Sequence, residues 1–316
     1  MATSDSVRVP KKDTLAAHWP RRRRFHLDRD ARAAYLFLTP LFVLVLGLIL
    51  YPFLQALRLS FTDKMVGYPE QFVGFKNYVY LINDETFRRV IRNSVVFTVG
   101  SVGLKLVTGL GVALLLNNIV RWRGFFRGLS LLPWIPSTVI IALTWRWMFD
   151  AFRGRGFFNS VLLDAGLLDR PVGFLGSAEG AMAAVIVANW WRGFPFFGIA
   201  ILAAMQAVPR DFYEAAAVDG ANAWNRFWHI TVPSIKHVLI ITTLLSTIWT
   251  LNDFNIVYVM TRGGPGVATH VFATFSYETA FNQLRWGRGV AASIFLVPVL
   301  VITIIILSRY LLREEK

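Results

Sequence analysis

Polar, charged and aromatic side chains recur at helical spacing within two long apolar segments of the chain. They are Asn189, Arg192, Gly193 and Phe196 in the earlier segment, and Ser246, Trp249, Thr250 and Asp253 in the later one. Residues spaced i, i+3, i+4 and i+7 share one face of an α-helix. Each face could therefore bind a polar ligand through hydrogen bonds and aromatic contact, or it could simply join packed helices.

Arg192 and Asp253 carry the charges of these two faces and allow two interpretations. They could neutralise each other as a structural ion pair, or Arg192 could face a cavity and bind an anionic group with its planar guanidinium. Lys105 and Arg146, in two other apolar segments, could add positive charge to such a cavity. Basic side chains of this length also often extend toward a membrane surface or meet a neighbouring helix.

The sequence lacks the residues and motifs that thiol catalysis, metal binding and ATP binding require. The chain has no Cys, which excludes thiol catalysis and thiolate metal sites. None of its five His lies four residues from another, so we expect no metal site. The sequence Gly-x-x-x-x-Gly-Lys-Ser/Thr, the phosphate-binding loop of many ATPases, does not occur in it. We therefore expect no catalytic residue and no cofactor in this chain.

The composition indicates a membrane environment. Of the 316 residues, 55% are hydrophobic, 15% are aromatic and only 16% are charged, whereas soluble domains carry about 25% charged residues. This excludes a soluble enzyme, a disordered chain and a small disulfide-linked secreted domain. We predict an all-α polytopic membrane protein.

Six apolar segments are each long enough to cross a membrane at 1.5 Å per residue. They cover residues 33–57, 94–116, 129–149, 181–208, 238–260 and 290–311. The first segment is too long and begins too late to be a cleaved signal peptide, so it is interpreted as a signal anchor. We predict that residues 33–311 form one transmembrane domain.

The distribution of basic residues predicts the orientation. Residues 1–32, the loops 118–128 and 209–236, and the residues after 308 hold eighteen Lys and Arg, against ten in the longer opposite loops. The positive-inside rule then predicts cytoplasmic termini, with residues 1–32 as a basic tail and 312–316 as a short end. The arginine run 21–24 is interpreted as a topology signal with affinity for membrane lipid, not as a nucleic-acid site.

The loop 209–236 begins with a pattern typical of a short helix. Asp211 is placed to cap the helix, and Glu214 follows three residues later, as in a capping box. Asp219-Gly220 predicts the end of this helix, because Gly readily adopts the left-handed conformation.

The second part of the loop predicts another short helix, at about residues 222–229. Trp224, Phe227 and Trp228 would share one face of it, and Pro233 would break the chain before the fifth span. Such a helix–turn–helix could dock into a groove of a partner protein, or it could lie passively on lipid headgroups.

Six residues of this loop also have the spacing of a known signature. They are Glu214, Ala215, Ala216, Gly220, Ile230 and Pro233. This pattern resembles the "EAA" signature of permease subunits of binding-protein-dependent ABC importers, with Val232 where Leu is usual.

A second segment resembles the sugar-transporting branch of that family. Asn252-Asp253-Phe254 is followed by Thr261-Arg262-Gly263-Gly264-Pro265. The Gly-Gly-Pro element is similar to that of the larger permease in maltose-type and glycerol-3-phosphate-type importers. The resemblance covers essentially residues 33–311.

The resemblance implies the type I ABC importer permease fold in a bacterial inner membrane, and it implies a role for each site. The coupling loop 209–236 would sit in a cleft of a dimeric cytoplasmic ATPase, where Glu214 would accept charge-assisted hydrogen bonds and Asp219-Gly220 would form the bend. The two polar faces resemble those that line the sugar site, where aromatic rings and hydrogen bonds hold the substrate.

The resemblance also implies the partners: a second homologous permease, an external solute-binding protein, and ATPase subunits that hold the ATP and Mg²⁺. The expected substrate is a carbohydrate, with a neutral oligosaccharide or polyol slightly favoured. An anionic saccharide such as a uronate oligomer, or glycerol-3-phosphate, is the alternative, and a self-sufficient secondary transporter is a remote one, since no internal repeat is apparent.

Overall fold

The computed structural model describes residues 29–118, 121–151 and 156–312, which are almost entirely helical. The helices are α1 (Arg29–Leu44), α2 (Tyr51–Ser60), α3 (Lys76–Asn83), α4 (Glu85–Asn118), α5 (Arg123–Leu131), α6 (Thr138–Met148), α7 (Phe157–Asp164), α8 (Ala178–Gln206), α9 (Arg210–Val218), α10 (Ala223–Arg226), α11 (Val232–Leu251), α12 (Asn255–Thr261), α13 (Phe272–Tyr277), α14 (Trp286–Ile294) and α15 (Val297–Leu312). The tail predicted at 1–32 and the end at 312–316 lie almost wholly outside the described residues.

The chain divides into two units, residues 1–54 and 55–316. The described part of the first unit is a helix with a π-helical turn at Val45–Leu50. The second unit contains both predicted polar faces and the 209–236 loop.

Among the described residues, five helices are long and apolar enough to cross a membrane, or six if one bent pair is a single span. The five are Tyr35–Ser60, Glu85–Asn118, Ala178–Gln206, Ala223–Leu251 and Trp286–Tyr310. The spans predicted at 33–57, 94–116, 181–208 and 290–311 each overlap one of these helices.

The span predicted at 129–149 is not one straight helix. Its halves, Gly124–Trp134 and Thr138–Met148, meet at an angle of 85°. Pro133 and Pro136 explain the break, because proline lacks a backbone N–H and disfavours helical geometry in the residue before it.

The span predicted at 238–260 also differs. Its helix ends at Leu251, and the chain turns before α12 begins at Asn255. At the other end the helix continues back to Ala223 through a π-helical turn at Phe227–Thr231. The prediction that Pro233 breaks the helix was wrong. The π-helical turn just before Pro233 lets the helix continue past a residue that cannot donate a backbone hydrogen bond.

Close packing of α4, α8 and α11 forms the centre of the second unit. A Cβ atom at Gly109 of α4 would lie only 3.0 Å from the backbone nitrogen of Gly198 in α8, so glycine permits this approach. Phe197, Ile201 and Ile235 are fully buried beside it. These three helices carry the polar side chains described next.

Candidate functional site

A small pocket opens between α4, α8 and α11, beside the bend before α6. Its lining residues are Lys105, Trp134, Arg192, Gly193, Phe196, Ser246, Trp249 and Thr250. Six of the eight residues predicted from the two polar faces are among them. The remaining two, Asn189 and Asp253, are buried against each other.

Asp253 is the centre of the buried polar contacts. Its Oδ2 accepts a hydrogen bond from Asn189 Nδ2 at 2.7 Å and lies 3.4 Å from Nη2 of Arg192. Its Oδ1 accepts the backbone N–H of Ile256 at 3.2 Å, in the first turn of α12. Asp253 therefore lies just beyond the end of α11 rather than on its face, and the ion pair considered from the sequence is formed.

Arg192 makes a second contact on its other side. Its Nη1 donates to Oγ1 of Thr138 at 2.7 Å, at the first residue of α6. The guanidinium thus joins α8 to both α6 and Asp253. Its side chain is only 28% exposed.

Lys105 contributes the ammonium group of the pocket. The residue is 4% exposed, and its Nζ donates to Oγ1 of Thr250 at 3.0 Å. Its side chain passes over Gly193, where a Cβ atom would collide with the Cε of the lysine. Arg146, the other basic residue considered, lies elsewhere and donates to the carbonyl oxygen of Val259 at 3.2 Å.

Aromatic rings form the other wall of the pocket. The ring centroids of Phe196 and Trp249 are 5.1 Å apart, and those of Trp134 and Phe196 are 6.4 Å apart. Sequence reasoning missed Trp134, which reaches this wall because the chain bends sharply after it. The flanking prolines were the available signal.

The pocket is small in this structure, at about 40 Å³. Sites for drug-sized ligands usually measure roughly 300–1,000 Å³, so this volume suits about one water molecule.

The coupling loop is built differently, because its signature residues are mostly exposed. Glu214, Ala215, Asp219 and Gly220 are exposed on α9 and the turn after it, and Ala216 is half-buried. Helix α9 begins after Pro209 without a side-chain cap, so the capping role predicted for Asp211 was wrong. Asp211 lies inside the first turn, two positions beyond the N-cap residue Pro209.

Gly220 ends α9 as predicted. Its φ is +80°, its N–H donates to the carbonyl of Ala217 at 3.1 Å, and the N–H of Ala221 donates to that of Ala216 at 2.8 Å. These two bonds form a Schellman motif, which a residue with a Cβ adopts less readily.

The predicted aromatic face is present after this turn. Trp224 and Trp228 have ring centroids 5.7 Å apart, Phe227 contacts both, and the two Trp are 67% and 47% exposed. Tyr213 Oη lies 3.1 Å from Thr231 Oγ1, which joins α9 to the long helix Ala223–Leu251. Ile230 and Pro233 lie on that helix.

The Gly-Gly-Pro segment forms a tight loop after α12. Thr269 closes it, with its Oγ1 2.8 Å from the carbonyl oxygen of Gly264 and 2.7 Å from Oγ1 of Thr261. Gly263 has a φ of +86°, and the imidazole of His270 occupies the space that its Cβ would need. Burial lowers the pKa of His270 below its ordinary value of 6.5, against the opposing attraction of Glu278.

The part of the chain that the structure describes contains no group of three or more His, Asp or Glu side chains placed to hold a metal ion. The candidate functional regions are therefore a buried polar pocket, an exposed signature loop and a compact glycine-rich loop.

Residues 87–314 match the family described as binding-protein-dependent transport system inner membrane component. The chain belongs to this family. It is a multi-pass inner-membrane component of a transport system, with the all-α fold of type I ABC importer permeases.

Individual relatives match nearly the whole chain. The trehalose/maltose transport system permease protein MalF of Thermococcus litoralis is 38% identical over 91% of this chain and 96% of its own length. The lactose transport system permease protein LacF of Rhizobium radiobacter is 34% identical over 89% of this chain and 94% of its own.

A solved structure has the same fold. A chain of a bacterial alginate ABC transporter, crystallised with a periplasmic protein bound to an alginate pentasaccharide, superposes with a TM-score of 0.74. The match covers 90% of this chain and 94% of that chain, at 25% identity.

Proposed function

We propose that the protein is a permease subunit of an ATP-driven importer that takes up a saccharide delivered by an external binding protein. The family and the sugar-transporting relatives support this proposal. The pocket supports it independently, because saccharides are bound by aromatic faces together with several hydrogen-bonding groups, and both line it.

The observation that carries the proposal is the unbroken helix Ala223–Leu251, which connects the loop to the pocket. Helix α10 lies at one end of it, and Trp249 and Thr250 lie at the other, about 40 Å away at 1.5 Å per residue. A displacement of the loop by an ATPase would therefore move the pocket wall directly. The Tyr213–Thr231 contact would make α9 move with this helix.

Each coupling residue has a distinct task in this proposal. Exposed Glu214 accepts hydrogen bonds from a basic residue of the ATPase, and charge-assisted bonds are the strong class. Ala215 and Ala216 allow close approach, and Asp219-Gly220 turns the chain. Ile230 and Pro233 connect the loop to the long helix.

The pocket is proposed as half of the substrate pathway, with the second homologous permease supplying the other half. A volume of about 40 Å³ in one subunit agrees with a site that two subunits complete. Asn189 and Asp253 then serve as the buried support for the lining residues, through their mutual hydrogen bond.

The energy source lies in the partner subunits in this proposal. ATP and Mg²⁺ bind a dimeric ATPase on the cytoplasmic side of the membrane. Both termini of this chain and the coupling loop lie on the same side. The solute-binding protein approaches from the opposite side, and the spans contact membrane lipid.

The test is saccharide uptake by the complete complex in proteoliposomes. We expect uptake that requires ATP and loaded binding protein, and that stops when the ATPase binds but cannot hydrolyse ATP. Uptake that persists with this inactive ATPase and follows an ion gradient would instead indicate a secondary transporter.

A further inference from the structure

Most of the polar atoms that the sequence predicts in the pathway are bonded within the chain, and Arg192 Nε and Asn189 Oδ1 are buried without a partner among the described residues. Two nitrogens of the Arg192 guanidinium contact Asp253 and Thr138, and Asp253 in turn accepts hydrogen bonds from Asn189 and from the backbone N–H of Ile256. A group that contacts the substrate through these atoms must first give up these bonds. Arg192 and Asp253 are therefore built as a support for the pocket wall.

Lys105 makes fewer contacts than Arg192. An ammonium group has three N–H donors, and within the described residues its Nζ has a single hydrogen-bond partner, Thr250. The residue lies about 20 Å from the end of α4 at Asn118 and about 30 Å from its start at Glu85, at 1.5 Å per residue. Its side chain cannot reach either membrane surface, so its amino group faces the pocket that it lines.

Gly193 leaves the space that the Lys105 side chain occupies. A Cβ at this position would meet the Cδ of Lys105 at 2.8 Å and its Nζ at 3.0 Å. Thr250 holds the ammonium from the other side at 3.0 Å. The lysine is thus held across α8 and α11, beside the rings of Phe196 and Trp249.

We propose that Lys105, rather than Arg192, is the cationic hydrogen-bond donor that contacts the transported saccharide. Its free N–H groups take hydroxyl, ring or carboxylate oxygens of the substrate while the aromatic rings contact its apolar face. The inference rests on the proposed function and adds to it a residue from a third helix, α4.

The experiment compares Lys105→Met with Thr250→Val in the complete complex in proteoliposomes, at saturating loaded binding protein. Lys105→Met removes the donor, and we expect uptake to fall about tenfold or more. Thr250→Val removes the tether but keeps the lysine itself, so we expect a smaller loss of about threefold or less. Arg146→Met, which removes a cation outside the pocket, serves as the matched control and should leave uptake unchanged.

A purely structural role gives a different pattern. If the ammonium only ties α4 to α11, Thr250→Val must lower uptake as much as Lys105→Met, and that result would overturn the inference. Unchanged uptake in Lys105→Met would overturn it as well. If the wild-type complex takes up no saccharide at all, the proposed function itself fails, which is a distinguishable outcome.

A second measurement decides the question even if Lys105→Met does not assemble. In an electron cryomicroscopy structure of the wild-type complex trapped with saccharide, we expect Nζ of Lys105 within about 3 Å of a saccharide oxygen. A saccharide in contact with Arg192 and beyond hydrogen-bond distance of Lys105 would contradict the inference.

Discussion

Polar side chains at the pocket are buried and bonded within the chain, whereas those of the coupling loop are exposed. Beside the pocket, Asn189 and Arg192 are each bonded to Asp253, which is 7% exposed. In the loop, Glu214 and Asp219 are exposed on a helix whose conformation does not depend on them. On this account, the buried residues beside the pocket stabilise this chain itself, whereas the proposed role of the loop residues requires a partner.

The largest expected effect that separates the two regions is on stability. Asp253→Ala leaves Arg192 with an uncompensated charge and Asn189 without its acceptor, and loss of one member of a buried ion pair costs about 3–5 kcal/mol. We expect a clear fall in the thermal midpoint of the purified protein in detergent. Glu214→Ala, an exposed carboxylate, should change stability by less than about 0.5 kcal/mol. Equal shifts for the two variants would remove the distinction between the regions.

The next effect concerns coupling. Glu214→Ala should remove a charge-assisted bond to the ATPase, worth about 1.5–3 kcal/mol, and lower binding-protein-stimulated ATP hydrolysis and uptake about tenfold or more. The matched control is Asp211→Ala, an exposed carboxylate on the same helix that caps nothing. Uptake in the Glu214 variant equal to wild type would refute the coupling role.

A smaller effect is expected at the turn. Gly220 has a φ of +80° and open space where its Cβ would stand, so a substitution there strains the backbone without a clash. Gly220→Val should cost about 1–2 kcal/mol in that turn and weaken coupling while membrane insertion stays intact. Gly220→Asn should retain most of the activity, because Asn tolerates the left-handed conformation. The comparison is made by ATPase stimulation, and equal loss in both variants would argue against backbone strain as the cause.

The smallest effect is a pH dependence outside the spans. Because burial lowers the pKa of His270 below 6.5, protons bind this imidazole more readily when the Gly-Gly-Pro loop opens. The loop should therefore be fully stable above about pH 6.5 and lose stability as the pH falls through the lowered pKa of His270. Hydrogen exchange of residues 263–270 checks this. His270→Gln should show a flatter pH profile, and an unchanged profile would exclude the histidine as its source.

Spacing alone predicted much of both regions. Period-3.6 spacing found six residues of the pocket lining, and Asp219-Gly220 predicted the end of α9. Both signals are local, since they depend on one helix face or on one residue's backbone freedom. The ion pair was anticipated as an alternative, because opposite charges on neighbouring faces attract.

The remaining features depend on where helices stop and how they bend. Trp134 joins the pocket only because the chain turns by 85° after it. Asp253 fits the i+7 spacing of α11, yet the helix ends at Leu251 and the carboxylate bonds the backbone N–H of Ile256 in α12. Pro233 suggested a break in the helix, but a π-helical turn lies just before it and the helix continues from the loop into the span. Tertiary packing decides each of these outcomes, and periodicity carries no information about it.

The most direct test of separate roles measures ATP hydrolysis and saccharide uptake in the same proteoliposomes with loaded binding protein. We predict that Glu214→Ala lowers both quantities together, whereas Lys105→Met lowers uptake and leaves stimulated ATP hydrolysis largely intact. If the two variants lose both quantities in the same proportion, the loop and the pocket do not have the separate roles assigned to them.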